Sequence, residues 1–307
     1  MELGSSHLWS SRTGWERRNC WRLVLLGMAM SNEPKGVDAY SLETSHSGHT
    51  YPEVGPAWPD AGWVPTPRYL LRRDRILANL SGVRPGRTLE IGSGSGAFLY
   101  ELKGMGFDCE GVEISQEAIG LCESLHGKKI KISSQLPELK ESFSLIFASE
   151  VLEHIEDDVQ ALHAWIELLE NDGLLIITVP SHMKKWGASD EWAGHFRRYE
   201  KKDLSEKLRC CGLTIVNFEC YGFPLSNVLE SLSAGFYRKR VIRNAAGEIE
   251  RFSNNARSGI DRGPATKLFG LLSSRLGRVF LRISYRIQAL FLGRELGSGY
   301  LVVARKS

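Results

Sequence analysis

Arg87-Thr88-Leu89-Glu90-Ile91-Gly92-Ser93-Gly94-Ser95-Gly96-Ala97-Phe98-Leu99 is the stretch around which this 307-residue chain is organised. Thr88 to Ile91 reads as a short buried strand, the next residues as a turn with glycine at every second position, and Gly96 onward as a helix carrying Phe98, Leu99 and Leu102. The glycines predict a turn that uses φ > 0, and a side chain at Gly92 or Gly94 would hold a bound cofactor off the backbone. The free N–H groups of the helix start form an electropositive rim.

Outward from this turn the chain alternates strand and helix. Cys109 to Ile114 is the second strand, and Glu113 closes it 21 residues after Gly92. An acid there can accept hydrogen bonds from both ribose hydroxyls of a nucleoside cofactor. A helix from Gln116 to about Leu125 and a strand over Lys129 to Ser133 follow. Phe143 begins a buried strand that ends in Ser149-Glu150 and runs into Leu152-Glu153-His154, where Glu153 and His154 can also cap the next helix. That helix, Asp158 to Leu169, repeats Ala161, Leu162, Trp165 and Leu168 at helical spacing and stops at Asn171-Asp172-Gly173. Gly173 to Pro180 is a fifth, apolar strand, and the loop Ser181 to Tyr199 leaves its carboxyl end, where open α/β sheets bind ligands. Lys201 to Cys210 is a helix and Leu213 to Phe218 a sixth strand. The best candidate for a seventh strand is Gly299 to Arg305, so about 80 residues separate strands six and seven.

Gly92, Gly94 and Ala97 alone satisfy the dinucleotide fingerprint G-x-G-x-x-G/A, which leaves an NAD(P)-dependent oxidoreductase as one reading. Glu90 adds an acid at the strand end, and Glu90-x-Gly92-x-Gly94-x-Gly96 resembles the first motif of class I S-adenosylmethionine (SAM) dependent methyltransferases. Phe143 to His154, with Asp157, resembles the fourth strand of methyltransferases of the type 11 and ubiquinone-biosynthesis kind. Asp190-Glu191-Trp192-Ala193-Gly194-His195-Phe196-Arg197-Arg198-Tyr199 resembles the segment that follows strand five in the same group. The resemblance covers about Gly82 to Cys220 plus the last ten residues.

The resemblance implies an α/β fold: a doubly wound, mostly parallel seven-stranded sheet in the order 3-2-1-4-5-7-6, with a helical insertion between strands six and seven. It implies SAM as cofactor, held by Glu90, Gly92, Ser93, Gly94, Gly96, Glu113, Ile114, Ser149 and Glu150. The family's usual adenine-reading acid after strand three is replaced here by Ser133-Ser134-Gln135. A hydroxyl acceptor needs a base near neutral pH, for which His195 and His154 qualify, His195 preferred because it lies on the loop over the strand ends. Arg197 and Arg198, with Tyr199, can grip an anionic acceptor; their bland role is to tie the loop to nearby acids. The implied function is methyl transfer, to oxygen, on a small-molecule or lipid-linked acceptor in the cytoplasm. A methyltransferase-like binding protein without turnover is the remaining alternative. The Asn/Asp-Pro-Pro-Tyr motif of base N-methyltransferases is absent, so no nucleic-acid partner is expected.

Composition adds bounds. Six cysteines show no C-x-x-C spacing, so a reduced protein without a metal site is expected. No run of 18 apolar residues exists, which excludes a spanning helix. Residues 1–34 read as a disordered leader and 35–82 as an N-terminal cap, its Pro- and Trp-rich part from Pro52 to Pro67 too interrupted for a strand or helix. The SAM-binding core is expected over 83–220, the insertion over 221–296 and the last strand over 297–307. Between Gly235 and Arg294 stand 13 Lys+Arg against 3 Asp+Glu, a local +10 in a chain of net charge +3. A helix predicted over 266–292, roughly 40 Å long, carries Arg275, Arg278, Arg282 and Arg286 beside a stripe of Leu272, Leu276, Val279, Ile283, Ile287 and Leu290. Either the apolar stripe docks on the acidic body, the preferred reading, or the helix makes peripheral contact with an anionic membrane.

Overall fold

The computed structural model describes residues 49–138, 140–243 and 262–307. The leader expected over 1–34 and part of the insertion expected over 221–296 lie outside the described residues. A small antiparallel hairpin, β1 (His49–Tyr51) and β2 (Gly55–Ala57), opens the fold. The strand β2 corrects the expectation of an irregular Pro- and Trp-rich segment: Trp58 pairs with Trp63 across a tight turn, and burial of both indoles overrides the prolines. Helix α1 (Pro67–Leu80) starts at Thr66, whose hydroxyl accepts the Tyr69 N–H, with proline at its first position.

Strand and helix then alternate as β3 (Arg87–Ile91), α2 (Ala97–Gly104), β4 (Asp108–Val112), α3 (Gln116–His126), β5 (Lys131–Ser133) and β6 (Phe143–Ser149). They continue as α4 (Asp158–Leu168), β7 (Leu169–Pro180), α5 (Ala188–Ala193), α6 (Lys201–Cys210) and β8 (Leu213–Tyr221). The insertion holds α7 (Leu225–Arg243), α8 (Gly263–Ser273) and α9 (Arg275–Ala289), and β9 (Gly299–Lys306) closes the sheet. The sheet order β5-β4-β3-β6-β7-β9-β8 is the expected one, with β9 antiparallel to both neighbours and the rest parallel. Its central strands are buried on both faces: Ile146 and Ala148 of β6 pack with Leu162 and Trp165 of α4, while Leu145 and Phe147 pack with Phe98 and Leu99 of α2. Each such side chain contributes about 1.5–3 kcal/mol, which is why these strands read as unbroken apolar runs.

Three local expectations are corrected. Glu153 and His154 form a 3-10 turn and do not cap α4; Asp157 does, its carboxylate accepting the Gln160 N–H at 2.9 Å. Removing this cap in Asp157→Ala is expected to cost about 1 kcal/mol, read as a fall in Tm of about 2–4 °C. β7 begins at Leu169, directly after α4, because a register shift opposite Phe143 to Leu145 lets the ladder pass Asp172 at φ 61°. The single long helix expected over 266–292 is two helices. Ser274 breaks it by accepting the Gly277 N–H at 3.1 Å, and the corner is so tight that a Cβ on Gly277 would lie 2.1 Å from the Leu271 carbonyl oxygen. Phe269 of α8 and Leu281 of α9 cover a third apolar cluster with Val54, Ala57, Val64 and Leu70. Among the described residues no helix is long and apolar enough to cross a membrane.

Candidate active site

The glycine turn connects β3 to α2 at the carboxyl edge of the sheet. Gly92, Gly94 and Gly96 sit at φ 70°, 54° and 70°, the left-handed region that the sequence predicts. Their reasons differ. A Cβ on Gly92 would meet Val151 Cγ2 at 2.5 Å and one on Gly96 would meet Cys122 Sγ at 2.6 Å, whereas a Cβ on Gly94 would meet nothing within 4 Å. Gly94 thus faces open space. Glu113, just past β4, ties the turn down: its carboxylate accepts the Gly94 and Ser115 N–H groups, each at 2.8 Å. One bond per oxygen leaves lone pairs for ribose hydroxyls. Ile114, beside it, is exposed on the rim.

Glu90 is buried at the end of β3 and its Oε2 has no hydrogen-bond partner among the described residues; the same holds for the hydroxyls of Ser93 and Ser149. Burial pushes the Glu90 carboxyl up to about 8, with the nearby charge of Glu113 adding to the rise and Arg72 opposing it. A small cavity lies here, lined by Tyr69, Arg72 and Ile76 of α1 on one side and Glu90, Phe98 and Ser149 on the other. Arg72 approaches Glu150 only to 3.9 Å, and it lines this cavity together with Glu90, a base and an acid on one small space. That donor set suits the carboxylate and ammonium of an amino acid, and the open cradle at Gly94 and the ribose-capable Glu113 suit an attached nucleoside. These residues fit SAM.

Glu150 follows Ser149 in a left-handed conformation, φ 57°. Its carboxylate accepts from Arg68 at 3.0 Å and from the Tyr221 hydroxyl at 2.9 Å. Burial alone would raise it, but the Arg68 and Arg72 guanidiniums and the Tyr221 hydroxyl hold it below the usual range. Arg68, Arg72, Tyr69 and Tyr221 were not legible as site residues, although Arg68 and Arg72 are four apart and so share a face of α1.

His195 and His154, which the sequence separates by 41 residues, come together. Their rings meet edge to face with centroids 4.6 Å apart. The loop that carries His195 is not wholly irregular: it holds α5, whose Asp190 accepts from His195 Nδ1 at 2.9 Å, from Arg198 Nε at 2.8 Å and from the Gly187 N–H at 2.9 Å. Against the raising effect of burial, these bonds bring the Asp190 carboxyl down to about 2. A bound Nδ1–H leaves Nε2 of His195 as the free acceptor, 4.0 Å from Glu153 Oε1. Burial, and then the charge of Glu150, raise the Glu153 carboxyl well above the usual range, and neither oxygen has a hydrogen-bond partner among the described residues. Burial lowers His154 to about 3, so it is neutral. Ligand atoms of Glu153, His154 and His195 lie within 4.8 Å of one another, close enough to hold one cation.

Arg197, Arg198 and Tyr199, expected to grip the acceptor, all make internal contacts. Arg197 pairs with Asp158 at 2.9 Å and donates to the Glu156 carbonyl at 2.6 Å. Arg198 is buried against Asp190, and the buried Tyr199 hydroxyl donates to Asp158 at 2.8 Å. Buried acids on neighbouring elements draw these groups inward, as their bland reading has it. Asp190 too escapes a reading of the sequence, although it stands five positions before His195 in the same quoted segment.

Known proteins resemble the chain in sequence and in fold. Residues 67–217, just under half of the chain, match a family profile described as a methyltransferase domain. A ubiquinone biosynthesis O-methyltransferase from Alkalilimnicola ehrlichii is 26% identical over 117 residues, 35% of this chain and 47% of that protein, so the chain spans about half the length of the curated relative it matches. A putative sarcosine dimethylglycine methyltransferase from Galdieria sulphuraria shares the fold at TM-score 0.50 and 16% identity, over 85% of this chain and 93% of that one. The SAM complex of Haemonchus contortus phosphoethanolamine N-methyltransferase 2 superposes at TM-score 0.47 and 15% identity, over 76% and 52%.

Proposed function

Because residues 67–217 match a methyltransferase domain, we propose that the chain is a class I SAM-dependent methyltransferase that transfers a methyl group to the oxygen of a small-molecule or lipid-linked acceptor. The observation that carries the oxygen acceptor is the Asp190–His195 pair, an oriented imidazole at the carboxyl edge of the sheet with a free Nε2. Bound SAM supplies a sulfonium-activated methyl group. What remains for the protein is to align the acceptor oxygen and remove its proton. Glu90 and Arg72 hold the amino-acid end, Glu113 the ribose, and Gly94 leaves room for the backbone approach. His195 Nε2 takes the acceptor proton and Asp190 steadies the imidazolium that results. Incubating the purified protein with methyl-labelled SAM and a cell extract tests this, with mass spectrometry of the labelled product. Label bound without transfer would leave a binding protein, and binding of NAD(P) in place of SAM would restore an oxidoreductase.

The converging atoms of Glu153, His154 and His195 favour a second reading, in which a divalent cation lowers the acceptor hydroxyl's pKa and His195 is a ligand. Chelation separates the two. With His195 as base, turnover is unchanged by a chelator; loss of turnover that magnesium or manganese restores would transfer the role to the cation.

Glu90 makes cofactor binding proton-linked. Without ligand its carboxyl, pushed up to about 8 by burial, holds its proton at pH 7. A SAM ammonium beside it favours the carboxylate, so binding at pH 6–7 is expected to release up to about one proton and to tighten as pH rises. Calorimetry in buffers of different ionisation enthalpy measures the release. Glu90→Gln should abolish it, and an unaltered release in that variant would place the ammonium elsewhere.

A further inference from the structure

α9 is built inside out. Its inward side carries Gly277, Leu281, Ser284 and Gln288, all buried, and polar bonds close it. Gln288 Nε2 donates to the Leu71 carbonyl at 3.1 Å and to Asp74 at 2.9 Å, while its Oε1 accepts the Gly222 N–H at 3.1 Å. The outward side carries the apolar stripe. Leu276 is 82% exposed, Val279 45%, Ile283 50% and Leu290 76%. The preferred expectation, that this stripe docks on the body, is thereby corrected: Gln288, which reads as a surface residue, is the anchor. At about 100° per residue the exposed stripe spans roughly 100° of the helix, and Arg275, Arg282 and Arg286 form the adjoining row. Leu268 and Leu271 of α8 are also exposed. From residue 262 to 294 the sequence has no Asp or Glu, against Arg262, Lys267, Arg275, Arg278, Arg282, Arg286 and Arg294.

We propose that this face of α8 and α9 docks on an anionic lipid bilayer. A water-soluble monomer rarely keeps such an apolar row in solvent, so something covers it. The charge decides what. A second copy meeting it across a two-fold axis would bring arginine rows together with Glu53 as the partner of Arg282 and no acid in either segment to offset the others. Lipid phosphates are anions to which guanidiniums can reach while the leucine row enters the acyl boundary. The insertion is also rooted at the sheet edge that holds the site: Tyr221 at the end of β8 and Pro180 at the end of β7 both pair with Gly299. Docking would therefore present that edge to molecules in the membrane. The docking face stands on its own residues and does not depend on methyl transfer.

Co-sedimentation of the full chain tests the proposal, using vesicles of equal parts phosphatidylglycerol and phosphatidylcholine, and of phosphatidylcholine alone. The expected result is binding to the anionic vesicles that high salt weakens, and that falls at least about tenfold in L276E/L290E and in R275E/R286E. All four positions are exposed, and Tm within a few degrees of the unaltered chain shows that the variants fold. Three results would overturn the proposal: no sedimentation, equal binding to neutral vesicles, or binding unaltered in both variants. A concentration-dependent dimer that L276E/L290E dissociates would assign the face to a second copy instead.

Discussion

Replacing His195 with alanine is expected to lower kcat by about 10²–10⁴ while leaving the affinity for S-adenosylhomocysteine nearly unchanged. The asymmetry follows from where the ring sits. Its Nδ1 is held by Asp190, which at about 2 is ionised across the working pH range, so the free Nε2 is available to an acceptor and not to the cofactor turn. Asp190→Asn should lower kcat as well, because an amide that presents its NH₂ to Nδ1 selects the wrong tautomer, as a positioning residue would. Tm must be followed in that variant, since Arg198 loses its charge partner too. His154→Ala should do less, as its ring is already neutral and its Nδ1 makes no hydrogen bond among the described residues. Single-turnover rates with an identified acceptor are the measurement. A His195→Ala enzyme as fast as the unaltered one would remove the base from this loop.

Valine at two neighbouring glycines should separate cofactor space from fold. At Gly94 the new side chain meets no heavy atom within 4 Å, so the fold loses only the cost of a left-handed backbone, about 1–2 kcal/mol. The ligand loses its close approach, and SAM affinity should fall by about 1–3 kcal/mol, roughly fivefold to more than a hundredfold. At Gly92 the Cβ would lie 2.5 Å from Val151 Cγ2, so the damage there is to the fold, read as a much larger drop in Tm. Glu113→Ala should resemble Gly94→Val in affinity, through loss of charge-assisted bonds. Should calorimetry find SAM bound equally well by the unaltered chain, Gly94→Val and Glu113→Ala, the cofactor lies elsewhere.

The parts of the molecule that could be read in advance are those specified locally. Strands buried on both faces announce themselves as apolar runs such as Leu145 to Ala148, and the turn by glycines that φ > 0 requires. The partners of a buried charge are not local. Nothing near Arg198 in sequence says whether it will face an acceptor or Asp190, because that depends on α5 folding back under the loop. The arginines of α1 were invisible for the same reason: their partner Glu150 is 82 positions from Arg68. Ser274, a serine inside two coherent stripes, looks like any polar position, and only the pairing with Gly277 three residues on marks it as a cap. The orientation of α9 could not be inferred from periodicity, which reports that an apolar stripe exists and not which side the protein turns toward itself.

The placement of β9 has a bearing on how the chain reaches its folded state. β9 lies between β7 and β8, and its partners are far back in sequence: Arg305 pairs with Leu174 and Lys306 with Leu213. Until residues 299–306 arrive, β7 and β8 both present open edges, and the insertion must already have been made and moved aside. Joining strands so distant requires closing a long loop before any ladder bond is gained, a slow step. A nascent chain that has passed β8 but not β9 is thus the species most exposed to edge-to-edge aggregation. Chain shortened at residue 298 should partition into the insoluble fraction, and a separately supplied peptide of residues 299–307 should rescue part of it.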